Sequence, residues 1–139
     1  MANYWLFKSE PEVWSWDQQK AKGAAGEEWT GVRNYQARNN MRAMKLGDKG
    51  FFYHSNEGLE IVGIVEVIRE AYADPTAEPG EPWVVVDFAA ARPLKRPISL
   101  KEIKATPELS KMSLVTSMRL SVQPVLDEEW AFILAMSER

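Results

Sequence analysis

The 139-residue chain has no cysteine and a single histidine, His54. Without thiols it has no disulfide, no thiolate nucleophile and no cysteine-based zinc site, and one imidazole cannot build a His-rich metal centre. No apolar run approaches the ~18 residues that a membrane helix needs. Nor does a basic segment followed by an apolar one precede the strand-like start at Tyr4, so no secretory leader is visible. Excess positive charge is missing too: 17 Lys and Arg stand against 20 Asp and Glu. That balance argues against a protein that grips long duplex DNA through many phosphates. The default expectation is one soluble, cytoplasmic domain over residues 1–139, monomeric, away from membranes and free of metal and cofactor.

What is present is uneven. Six tryptophans are more than a core of this size needs. One of them opens the segment Trp29-Thr-Gly-Val-Arg-Asn-Tyr-Gln-Ala-Arg-Asn39, which holds a glycine, two arginines and three amide side chains without a carboxylate. Over residues 29–56, Arg33, Arg38, Arg42, Lys45 and Lys49 face only Asp48, a balance of +4 in a chain of net −3. A planar π surface, amide edges and fixed positive charge are the groups that hold a nucleobase and its phosphate. The plain alternative is a buried tryptophan beside an ordinary polar helix.

Aromatic-rich Asn3–Ser9 reads as a first strand ended by Glu10-Pro11. Ser15-Trp-Asp-Gln18 forms a capping box for a helix to about Lys22, and Gly23–Gly26 is a flexible loop that delivers Trp29. Asn34 is placed to cap a helix over about 35–45, with Leu46-Gly47 as its stop. Residues 51–55 and 60–68 read as strands joined by a turn at Asn56–Gly58; the second strand extends as far as Tyr72, and Gly63 marks a bulge or bend. The proline-rich stretch 74–82 is a loop, 83–88 a third strand and 118–123 an alternating, half-buried one. Capping signals at Ser99, at Thr106-Pro107 and at Asp127 start three more helical segments, the last with an apolar face of Trp130, Ile133, Leu134 and Met136. Such irregular mixing suggests α+β, with a curved sheet or small barrel.

Four motifs in order, Tyr4-Trp-Leu-Phe-Lys-Ser-Glu-Pro11, Trp29–Asn39, Phe52-Tyr-His-Ser55 and Arg119-Leu-Ser-Val-Gln-Pro124, resemble the EVE domain across nearly the whole chain. The resemblance implies a PUA-like curved β-barrel flanked by short helices, and kinship with YTH readers of methylated RNA and with ASCH domains. Where the family motif commonly reads Trp-Asp-Gly-Val-Arg-Asn, Thr30 replaces the aspartate, so a hydroxyl that donates or accepts replaces an acceptor.

By analogy with the YTH pocket, Trp29 is one wall of an aromatic cage, Ser9 a hydrogen-bonding group for a base edge, and Lys8 a phosphate contact or the partner of Glu10. Arg33 and Asn34, at a helix start, suit an anion, although Asn34 serves equally as an N-cap. Tyr53 and Ser55 share one strand face and His54 the other, so His54 and Ser55 are both candidates. Arg119 is either a phosphate ligand beside the site or a solvated arginine. Two function classes follow: a non-catalytic reader of a modified nucleobase, in DNA, RNA or a nucleotide, or a hydrolase of a modified nucleoside. The hydrolase, by ASCH analogy, would draw on Lys8, Thr30 and Glu10 or Glu66, its lysine made basic by burial.

Overall fold

The computed structural model describes residues 3–139. Six strands form one sheet: β1 Tyr4–Ser9, β2 Glu27–Glu28, β3 Lys49–His54, β4 Glu60–Ala73, β5 Val84–Ser99 and β6 Val122–Val125. They lie in the order β2-β5-β4-β3-β1-β6. Only β1 and β3 run parallel, Tyr4 opposite Lys49 through Ser9 opposite His54; their neighbours are antiparallel. Among the described residues five α-helices accompany the sheet: α1 Trp16–Ala21, α2 Tyr35–Ala43, α3 Leu100–Lys104, α4 Ser113–Thr116 and α5 Asp127–Ser137, with short 3-10 turns at Gly23–Ala25 and Pro107–Leu109.

The sheet curves but does not close. Strands β2 and β6 are its edges, so the barrel implied by the resemblance is an open, mixed α+β sheet. Both faces are buried, and strand alternation sorts the core into two layers. Leu6, Phe51, Tyr53, Ile61, Ile64 and Ile98 point to one side and pack against α3 and α5. There Trp130 stacks on Tyr4 at 4.3 Å and on Phe51 at 4.0 Å between ring centroids. Trp5, Phe7, Phe52, Val65, Val67, Val86 and Phe88 point to the other side, under Trp16, α2 and Trp29.

Strand β4 changes register against both partners near Gly63: between Phe52 and Tyr53 of β3 on one side, and between its own Ile61 and Gly63 against β5 on the other. Gly63 sits at that bulge, and a Cβ there would lie 2.3 Å from the Trp16 ring. Its missing side chain therefore lets the indole seat directly on the strand as well as allowing the bend.

Several boundaries differ from those expected. Strand β5 runs to Ser99 rather than Phe88, because Pro93 falls opposite Gly63 at the irregularity, where the ladder is already broken. The 118–123 strand moves to Val122–Val125: the carbonyls of Ser117 and Leu120 are taken by the Gln123 amide, leaving 117–121 as a turn. Pro124 is tolerated because β6 is an edge. The cap of α5 is Leu126, whose N–H donates to Glu129 at 2.9 Å, rather than Asp127. By contrast Ser15, Asn34 and Ser99 cap their helices as expected, each side chain accepting a backbone N–H.

Candidate functional site

The end of β1, the turn after it and the short edge strand β2 enclose an open cleft of about 320 Å³. It is lined by Lys8, Ser9 and Glu10 on one side, Val13 and Trp14 at one end, and Glu27, Glu28, Trp29 and Thr30 opposite. The volume lies at the lower end of the range typical of small-ligand sites.

Local sequence puts Trp29 there. Gly26 takes φ 68°, and a Cβ at this position would meet the Phe88 carbonyl at 2.6 Å, so only glycine lets the chain turn tightly onto β5. Glu27 and Glu28 then pair with Phe88 and Asp87, and the Trp29 N–H donates to Val86 at 2.9 Å. The half-buried indole rests on three phenylalanines: Phe88 at 5.2 Å, Phe7 at 6.0 Å and Phe52 at 6.2 Å between centroids. Three strands thus fix its inner edge while the rest borders the cleft.

Lys8 and Ser9 leave β1 into the cleft. The Ser9 hydroxyl is buried and donates to the Trp14 carbonyl, keeping its oxygen lone pairs as acceptors. The Lys8 ammonium donates to the Met118 carbonyl at 2.5 Å, and partial burial lowers its pKa. Trp14 is held through the fully buried Gln19, which accepts from the indole N–H at 2.9 Å and donates to the Phe88 carbonyl at 3.0 Å. One amide therefore ties the end wall of the cleft to the strand beneath Trp29. Trp14 escaped sequence reasoning because nothing in Glu12-Val-Trp-Ser15 separates a cleft wall from a core residue. The acidic lining is equally a product of the fold, since Glu10 follows β1 whereas Glu27 and Glu28 form β2, and only folding brings the two segments together. Glu28 accepts from Tyr72 at 3.2 Å. That contact is the longer branch of a shared bond, because the one Tyr72 hydroxyl hydrogen points mainly at Asp87, 2.5 Å away; burial together with these two carboxylates raises the Tyr72 pKa.

Other candidates lie outside this lining. Arg33 donates to Asp74 at 3.0 Å and to Thr76 at 3.2 Å, and its guanidinium lies 5.8 Å from the Trp83 ring centre. Asp74 is the hub: its buried carboxylate accepts from the Gly31 and Thr76 N–H groups, the Thr76 hydroxyl and Arg33. Burial alone would raise its pKa; these hydrogen bonds outweigh it and hold the value at about 2. Asn34 caps α2 through the Ala37 N–H at 2.9 Å. Together with Arg119, Asn34 borders a separate shallow groove completed by Gln36, Ser117, Met118 and Leu120. The His54 Nε2 accepts the Trp16 N–H at 3.0 Å, which requires a neutral ring, and Ser55 donates its N–H to the Ser9 carbonyl at 2.9 Å. Glu66 pairs across β4 with Lys49 and Ala89, away from the cleft. The structure thus brings Lys8, Ser9, Trp29 and Thr30 together, while Arg33, Asn34, His54, Ser55 and Arg119 lie outside that lining.

Known proteins share this fold. A crystal structure of a protein from Agrobacterium tumefaciens superposes with a TM-score of 0.96 at 66% identity, over 98% of this chain and 93% of that one. Human THYN1 protein, solved in complex with DNA containing 5-methylcytosine, gives 0.91 at 38% identity over 99% of both chains. Among curated sequences, mouse thymocyte nuclear protein 1 is 41% identical over 99% of this chain and 75% of its own length. A YTH domain of Zygosaccharomyces rouxii, solved with N6-methyladenosine RNA, has a TM-score of 0.59 at 15% identity over 99% of this chain and 85% of its own, a likeness of fold. The EVE domain family model covers residues 3–136, and the chain belongs to that family.

Proposed function

We propose that this protein binds a modified nucleobase in the cleft beside Trp29, without turning it over. The observation that carries this reading is the half-exposed Trp29 indole, braced by three phenylalanines at the mouth of a cleft of ligand size. A base stacked on such a ring gains about 1–3 kcal/mol. The 5-methylcytosine DNA held by the related human protein supports the same class of ligand here.

The lining adds chemistry. Its three carboxylates against one lysine make a poor seat for phosphate, so the base enters and the phosphate stays outside. A carboxylate accepts hydrogen bonds from the exocyclic amino group of cytosine or adenine. Glu10 and Glu27 are suited to that task, and the Ser9 oxygen to the second amino hydrogen. Uracil and thymine present a carbonyl where the amine would be, and the same carboxylates repel it. The proposed ligand is therefore an amino-bearing base, methylated or similarly enlarged.

A thermal-shift screen of modified nucleosides and oligonucleotides tests this. A ligand at 100 times its dissociation constant adds about 2.7 kcal/mol to the folded state. Modified cytosine or adenine should raise Tm more than the unmodified base, and uracil counterparts should not raise it. Equal shifts for all bases would overturn the reading.

A second reading draws on Lys8, Thr30 and Glu10 lining the same cleft: hydrolysis of an acylated cytidine. Against it stands the Lys8 Nζ, already committed to the Met118 carbonyl. Release of free cytidine from the acylated nucleoside would favour this reaction over simple binding.

A further inference from the structure

The groove bounded by Asn34, Gln36, Ser117, Met118, Arg119 and Leu120 has no part in holding a base, yet it adjoins the cleft. The junction is Lys8, which lines the cleft and whose ammonium is 2.5 Å from the Met118 carbonyl. Across that junction the charge changes sign. Three glutamates line the cleft, whereas the groove lining has an arginine and no carboxylate. The adjoining helix α2 adds Arg38 and Arg42 and has no acidic residue.

The turn that forms the groove's far wall is stiff. Gln123, fully buried on β6, aims its amide N–H groups at three carbonyls of this region, Ser113 at 3.2 Å and Ser117 and Leu120 at 3.0 Å each. Asn40 of α2 donates to the Val122 carbonyl at 2.8 Å, joining the helix to the strand that follows. Held in this way, the turn presents Met118, 60% exposed, with Arg119 exposed beside it. A large apolar side chain on a stiff turn, next to an arginine and a base-sized cleft, has the make-up of a wedge. Proteins that open a duplex insert such residues into the base stack, and enzymes that reach a base swing it out into a pocket.

We infer that residues 117–120 are the duplex-facing element of this reader: Met118 occupies the space that the extruded nucleotide leaves in the stack, and Arg119 meets a flanking phosphate. The inference rests on the cleft being the base site, and it adds the form of nucleic acid. The partner is a double-stranded polynucleotide from which one modified nucleotide is extruded. The acid-lined cleft takes its base, and the acid-free groove carries the backbone.

The test compares three probes on the full chain: a duplex with one central 5-methylcytosine, the same strand alone, and 5-methyldeoxycytidine monophosphate. Met118 is exposed, so M118A should keep the wild-type Tm. Its duplex affinity should fall about tenfold, since unstacking a base step is costly without a wedge, while the single strand and the mononucleotide bind as before. R119A should weaken both oligonucleotides and lower the salt dependence of their binding, leaving the mononucleotide little changed. An M118A loss equal on all three probes would overturn the inference, placing Met118 as a support of the cleft through Lys8. So would M118A binding of the duplex at wild-type strength. If the wild-type protein binds none of the probes, the base-binding reading itself fails, a result distinct from either of these.

Discussion

Replacing Asp74 by asparagine should remove a defined, pH-dependent part of the stability. The carboxylate is buried and accepts from the Gly31 N–H at 3.1 Å, Arg33 at 3.0 Å, the Thr76 N–H at 2.7 Å and the Thr76 hydroxyl at 2.6 Å. Despite its burial, these donors lower its pKa from 3.8 to about 2. Holding the anion that much more tightly in the folded state is worth roughly 2 kcal/mol, at about 1.4 kcal/mol per tenfold change in proton affinity. Because the folded-state value is the depressed one, the contribution is fully present above the unfolded value near 4. It is lost as pH falls from there through about 2. Urea unfolding of wild type and D74N, followed by tryptophan fluorescence between pH 7 and pH 3, measures the gap. It should be at least about 2 kcal/mol and flat above pH 5, then narrow steadily below pH 4. A gap that stays constant down to pH 3 would refute the reasoning, showing that Asp74 contributes by shape rather than by charge. The effect reaches the cleft through Gly31, two residues from Trp29, so D74N should also weaken ligand binding.

Other outcomes follow from single contacts. His54 accepts the Trp16 N–H and its pKa is lowered, chiefly by burial, with Glu60 and Asp17 opposing. Its stabilising effect is thus present above the unfolded value near 6.5 and fades as pH falls below it. H54Q, whose amide oxygen accepts the same N–H, should show a flatter stability profile between pH 7 and 5 in matched urea titrations; equal slopes would contradict this. G63A should cost about 1–3 kcal/mol by driving a methyl into the Trp16 ring, read as a lower Tm with unchanged far-ultraviolet circular dichroism. Q19L should leave the Trp14 N–H and the Phe88 carbonyl without their partner, lowering ligand affinity more than it lowers Tm. The reverse order would assign Gln19 to stability alone.

Much of this fold is legible in local pattern. Aromatic and β-branched runs at 51–55 and 60–68 give β3 and most of β4, and the side-chain caps at Ser15, Asn34 and Ser99 start α1, α2 and α3. What local pattern misses depends on distant partners. Prolines at 93 and 97 argue against strand in sequence, yet β5 continues through them because its ladder is already irregular opposite Gly63. The alternation of Met118, Leu120 and Val122 suggests a strand, but the Gln123 side chain folds the first half into a turn. The site divides in the same way. Trp29 stands out by its glycine-rich approach and by the acid-free segment that follows it. Trp14, Glu27 and Glu28 carry no such mark and become a lining only when β2 meets β5 and Gln19 of α1 ties the Trp14 indole to the Phe88 carbonyl. Conversely, the positive island around Arg33 reads as a ligand clamp until Asp74, 41 residues away in sequence, takes the guanidinium.

The central claim is that Trp29 is the stacking wall for a modified base. Fluorescence anisotropy with paired oligonucleotides, identical except for one 5-methylcytosine, tests it in wild type and W29A, with urea titrations confirming that both are folded. The wild type should prefer the methylated strand. W29A should lose affinity for it by about 5- to 150-fold, the equivalent of one base–aromatic stack, and lose the preference with it. A folded W29A that still prefers the methylated strand at near wild-type affinity would contradict the account.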